Sequence, residues 1–125
     1  MKTMMSLLTS VEKEFIPHWH PLLGEGILEV TDIISSPYPG ASVIPDRCRV
    51  TFDRRLLVNG TKVGVLGQIK RIIRGVTAFE PRLKAEVFLA VDSAKCYTGE
   101  VIKAERFAPD WVFGEEHPFV QKALS

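Results

Sequence analysis

Cysteine is scarce in this chain. Cys48 and Cys96 are the only two in 125 residues, and neither belongs to a Cys-x-x-Cys pair or has a histidine at metal-ligand spacing. A disulfide-stapled secreted domain of this size would need more, so the expectation is reduced thiols and a cytoplasmic setting. Excess charge is also lacking. Sixteen Lys and Arg against fifteen Asp and Glu leave a net charge of +1, which offers no basic footprint for nucleic acid or an anionic membrane surface. Long apolar runs are absent, since none approaches the roughly 20 residues that span a bilayer. The opening stretch "MKTMMSLLTSVEKEF" is broken by Glu12, Lys13 and Glu14 and shows no cleavage pattern, so no signal peptide is expected. Repeats and low-complexity segments are missing too.

What remains is an ordinary globular composition, 46% hydrophobic and 25% charged, of one-domain length. Met4, Leu8, Val11 and Phe15 recur at helical spacing, with Met5 and Leu7 broadening the stripe, and Pro17 and Pro21 close that segment. "GILEVTDIIS" (26–35) reads as a β-branched strand, followed by the loop "SPYPGA". Over 47–57 the chain alternates. Cys48, Val50, Phe52 and Leu56 take one side, and Arg47, Arg49, Thr51, Asp53 and Arg55 take the other. Period two of this kind predicts a half-buried antiparallel strand with one open, charged face. Arg54 interrupts the apolar side, where a long stem can snorkel.

"NGT" (59–61) predicts a turn and helix cap. The stripe Val63, Leu66, Ile69, Ile73, Val76 follows, with Lys70, Arg71 and Arg74 expected late in the helix and Gly75 near its stop. "LKAEVFLAV" (83–91) predicts a third strand. A more irregular extended stretch over 99–107 and a short final helix in "HPFVQKALS" complete the chain. Helix, strand, strand, helix, strand with one-sided faces predicts a two-layer α+β sandwich, helices on one face of an antiparallel sheet. A split βαβ arrangement would have one more strand, ahead of the first helix.

Chemistry-bearing motifs are few. "HWH" (His18, His20) has only His117 as a further histidine, whereas zinc needs three or four ligands at defined spacing. "GEEHP" (Glu115, Glu116, His117, Pro118) reads as an acidic helix start. "GTKVGVLG" lacks the ending of a phosphate loop, and Ser42 and Ser93 lack a nucleophile elbow. The arginine-rich face of 47–55 is the sharpest signal, because a strand can present guanidinium forks rigidly to a carboxylate. A solvated, self-compensating surface is the plainer reading of the same pattern.

"HPLLGEGILEVTDI", "SVIPDRCRVTFDRRL" and "PDWVFGEEHPFVQKAL" together resemble the lid, or dimerisation, domain of the zinc-dependent exopeptidase and deacylase family. That family includes acetylornithine deacetylase, succinyl-diaminopimelate desuccinylase and carboxypeptidase G-type enzymes, and the selenium-metabolism-associated hydrolases are nearest in flavour. The resemblance implies a ferredoxin-like βαββαβ lid lacking its first strand over 1–112, then the start of a return segment toward a catalytic domain over 113–125. It implies that Arg55 meets a substrate carboxylate, with Arg54 on the variable position. It places Ser42 where the family carries asparagine, and the chain's sole asparagine, Asn59, lies elsewhere. It implies zinc in the full-length enzyme, no cofactor and no catalytic residue in this chain, a homodimer, and a separate or missing catalytic domain. No nucleic-acid or membrane partner is expected. A free-standing homodimerising interaction domain is the competing reading.

Overall fold

The computed structural model describes every residue except Met1, Pro39 and Ala41. Helix α1 (Lys2–Glu14) comes first, then the two-residue strands β1 (Trp19–His20) and β2 (Gly24–Glu25). The hairpin β3 (Ile27–Ser36) and β4 (Arg47–Arg55) follows, then α2 (Lys62–Phe79), the hairpin β5 (Val91–Lys95) and β6 (Val101–Glu105), and α3 (Pro118–Leu124). Among the described residues the strands form three separate antiparallel pairs, β1–β2, β3–β4 and β5–β6. The chain is a mixed α+β protein.

The core lies where α1, α2 and the β3–β4 hairpin meet. Leu7 and Val11 from α1, Ile69, Ile72 and Val76 from α2, and Leu83 just beyond it are buried, with Ile72 the most enclosed at 1% exposure. Leu28 of β3 and Phe52 of β4 pack on this cluster, as do Ala85 and Val87. The predicted stripes are right in part: Val11, Ile69 and Val76 are buried, but Ile72, the most enclosed residue, lies outside the predicted stripe, which took its half-buried neighbour Ile73. Met5 is exposed because it stands two residues from Leu7, on another side of the helix. Val63 is 83% exposed, since it sits in the first turn of α2, beyond the reach of the core.

Helix α2 starts as its sequence predicts. Thr61 is the N-cap, and its hydroxyl accepts from the Gly64 N–H at 3.1 Å, satisfying one orphan donor. Asn59, at φ 71°, makes the preceding turn in the left-handed region that asparagine tolerates. The helix does not stop at Gly75. It runs one turn further because Val76 still belongs to the core and the Thr77 hydroxyl bonds back to the Ile73 carbonyl at 2.8 Å. Lys70, Arg71 and Arg74 are thus interior, and the last turn holds no basic residue.

The β3–β4 register pairs Leu28 with Arg54, Val30 with Phe52, Ile33 with Val50 and Ser35 with Cys48, with an irregularity between Val30 and Asp32. These pairs form the helix-side face. Ile27–Arg55, Glu29–Asp53, Ile34–Arg49 and Ser36–Arg47 form the opposite face, in agreement with the alternation read from β4.

Two expectations change further along. Residues 83–90 alternate in burial but belong to no strand among the described residues, and strand pairing begins only at Val91. The irregular 99–107 stretch contains a regular strand, Val101–Glu105, joined to β5 through a turn in which the Gly99 N–H bonds the Cys96 carbonyl at 2.9 Å. Gly99 has φ 91°, which a side chain would resist. Both strands of this hairpin are exposed throughout. Lys62 ties it to α2 through an ion pair with Glu105, and its ammonium stands 5.7 Å from the Phe107 ring.

Candidate functional site: the arginine face of the second long strand

Strand β4 holds its two consecutive arginines on opposite faces, and the difference in their surroundings is large. Arg54 turns inward. Its guanidinium donates to the Val65 carbonyl at 3.2 Å and to Gln68 Oε1 at 3.0 Å, and stands 5.1 Å from the Phe15 ring centroid. Gln68 in turn donates to the Ile16 carbonyl at 2.8 Å. One side chain therefore joins β4, α2 and the exit of α1. Burial pulls the Arg54 pKa down from its ordinary value, though a guanidinium stays charged at any ordinary pH.

Arg55 turns outward. Its side chain is 75% exposed and lies 3.1 Å from the Asp53 carboxylate two residues back on the same face. Exposed pairs of this kind are worth only about 0–1 kcal/mol, so an arriving carboxylate would exchange one weak pair for another. Arg47 and Arg49 share the face.

Ser42 lies elsewhere. It is exposed, with φ 63°, in the loop that enters β4, whereas Arg55 is the strand's last residue. Nine strand residues extend about 26 Å, so β4 separates the two predicted binding positions by its length. The structure does not bring them together within one chain.

The histidines act locally. His20 Nδ1 accepts the Leu22 N–H at 3.2 Å in the β1–β2 turn. His117 is the N-cap of α3, its Nδ1 accepting the Phe119 N–H at 3.2 Å while its ring stacks on Phe113 at 4.1 Å. Glu115 and Glu116 precede this cap and leave the first turn of α3 without an acid. Among the described residues no three His, Cys, Asp or Glu side chains gather into a possible metal site. Cys48 and Cys96 are both half-buried free thiols, and among the described residues no helix is long and apolar enough to cross a membrane.

Sequence reasoning missed the role of Arg54, which it treated as an interruption of the apolar side. The available signal was its place in period two with Cys48, Val50 and Phe52, which requires an inward cation to find acceptors.

No family model matches the chain, and no solved structure matches it. Among curated proteins it is 33% identical over 102 residues to the uncharacterized protein YgeY of Escherichia coli strain K12, and equally to the protein of that name from E. coli O157:H7. The match covers 82% of this chain and 24% of those proteins, so the chain spans about a quarter of the length of these relatives.

Proposed function

We propose that this chain is the lid and dimerisation module of a zinc-dependent amide-bond hydrolase, a peptidase or deacylase, and that Arg55 receives the substrate carboxylate. The observation that carries the reading is the orientation of Arg55. It stands at the end of a rigid paired strand, outward and weakly engaged, while its neighbour Arg54 is committed to the interior. A side chain that must meet a ligand and not the core needs this placement. Ser42, one strand length away, is a second contact only if the ligand site draws on more than one chain.

The finer fold in this reading is ferredoxin-like, with α1 and α2 on one face of an antiparallel sheet. In this reading zinc and water activation belong to a catalytic domain outside this chain. A homodimer is part of the proposal. Among the described residues strand β3 is bonded only to β4, and Val30 and Ile33 on its helix-side face are 44% and 49% exposed. An edge with uncovered apolar side chains is suited to pairing with a second copy.

The test grafts this chain onto the matched segment of E. coli YgeY and screens the zinc-loaded protein on N-acyl amino acids and dipeptides. Arg55→Ala should raise KM about ten- to hundredfold, the loss expected for one charge-assisted contact, and change kcat less. An unchanged KM, or zinc-dependent turnover by the ungrafted chain alone, refutes the reading.

A further inference from the structure

Segment 111–121 folds around one histidine. Helix α3 opens with Pro118, which has no N–H to leave unpaired. The first donor the helix presents is therefore the Phe119 N–H, and His117 Nδ1 accepts it at 3.2 Å. The His117 carbonyl accepts the Gln121 N–H at 3.0 Å and closes the first turn, while Gln121 Nε2 donates back to the Glu115 carbonyl at 2.7 Å. Through its face the His117 ring stacks on Phe113, with centroids 4.1 Å apart and planes inclined at 22°. Phe113 also meets the Trp111 ring at 5.0 Å and the Phe119 ring at 6.0 Å. The imidazole is thus held by two partners at once, a backbone donor and an aromatic face.

The two partners favour opposite protonation states. Nδ1 accepts a hydrogen bond only while it carries no proton, so the cap requires a neutral ring with its proton on Nε2. Once protonated, Nδ1 is a donor facing another donor, and the charge opposes the positive end of the helix. An aromatic face, by contrast, attracts a cation, so the stack on Phe113 gains where the cap loses. Asp110, Glu115 and Glu116 precede the ring in the chain, and Lys122 lies in the last turn of α3. None of them forms an ion pair with the ring among the described residues. No neighbouring charge takes it over when it is protonated.

We propose that His117 is a pH-operated latch on the C-terminal segment. With the ring neutral it caps α3 and joins the helix to the aromatic cluster of Trp111 and Phe113. As the pH falls through the range in which histidine takes up a proton, about 8 to 5, the cap is lost, the stack persists, and the first turn of α3 opens. The bond fixes the sign: α3 is favoured where the ring is neutral and lost as the ring becomes charged. Losing a cap shifts a helix equilibrium by about tenfold. Helix α3 has seven residues and no buried side chain, so no core packing offsets that shift. His20 accepts the Leu22 N–H in the same way at 3.2 Å, but it stacks on no ring among the described residues and has no second partner to pass to. The latch does not rest on the hydrolase reading and survives its failure.

The test is an NMR titration of the whole chain from about pH 8 to about pH 5. It follows the His117 ring nitrogens, the helical Cα shifts of 118–124, and the ring contact between His117 and Phe113. At the upper end the ring should carry its proton on Nε2. At least about half of the helical shift of α3 should then disappear in step with the His117 titration, with the Phe113 contact kept. His117→Asn supplies a cap that does not titrate, and α3 should be equally helical in it at both ends of the range. His117→Ala has no acceptor and should be as low at the upper end as the parent chain is at the lower. The proposal is overturned if Nδ1 carries the proton at the upper end, or if α3 keeps its helical shifts once His117 is charged. Retention of α3 in His117→Ala overturns it too. So does the same pH-dependent loss in His117→Asn, because the titrating group would then be another one.

Discussion

Replacing Arg54 and Arg55 one at a time by alanine asks whether the strand's period of two decides what each arginine does. Arg54→Ala removes two hydrogen bonds from a charged donor, to Val65 and Gln68, and a cation–ring contact with Phe15. Hydrogen bonds to charged groups contribute about 1.5–3 kcal/mol net when buried. Half-exposure reduces the two together to about the worth of one, and the ring adds about 0.5–1 kcal/mol. The expected loss is about 2–4 kcal/mol of folding stability. Arg55→Ala removes only the exposed pair with Asp53 and should cost no more than about 0.5 kcal/mol. Arg54→Lys separates charge from geometry: it keeps the cation but loses the planar fork, and should fall between the two. Equilibrium urea unfolding of the three variants, with slopes compared to confirm that compactness is unchanged, supplies the numbers. If Arg55→Ala destabilises as much as Arg54→Ala, the assignment of faces on β4 is refuted.

Two further perturbations probe α2. Ile72→Ala should cost about 2–5 kcal/mol in the same assay, since this is the most enclosed side chain and truncation leaves a cavity among Leu7, Val11 and Ile69. Gly75→Ala should stabilise the chain by about 0.5–1 kcal/mol, because the site is helical and exposed and an added Cβ meets nothing within 4 Å; thermal unfolding reads the gain.

Much of the architecture was legible because it depends on local periodicity. The alternation of β4, part of each helix stripe (Val11, Ile69 and Val76, though not Ile72) and the Thr61 cap each follow from side-chain direction and backbone valence within a few residues. The errors lie where a distant partner decides. Gly75 looked like a stop because glycine is a poor helix former, but Val76 gains enough from the core to carry α2 onward. Residues 83–91 looked like a strand because their side chains alternate, and that alternation is real. Strand bonding also needs a neighbouring backbone, which no pattern within the segment reports. The pairing of β5 with β6 was missed for a related reason: its residues are exposed on both faces, so hydrophobic periodicity carries little signal, and the turn glycine Gly99 was the better clue.

The candidate site shows the same division. That Arg55 faces outward could be read from its parity with Arg47, Arg49 and Asp53. That Arg54 holds three elements together could not, because Val65, Gln68 and Phe15 lie on other elements and only the folded chain brings them to it. The consequence is functional. Since Arg54 carries the structural load of this end of β4, Arg55 is left free of it and can be committed to a ligand without a cost in stability. Adjacent residues on a strand separate in this way only if the register is held. A one-residue slip would exchange them, placing Arg55 against α2 and Arg54 in solvent. The contacts of Arg54 with Val65 and Gln68 oppose that slip, so the inward arginine also fixes the position from which the outward one is presented.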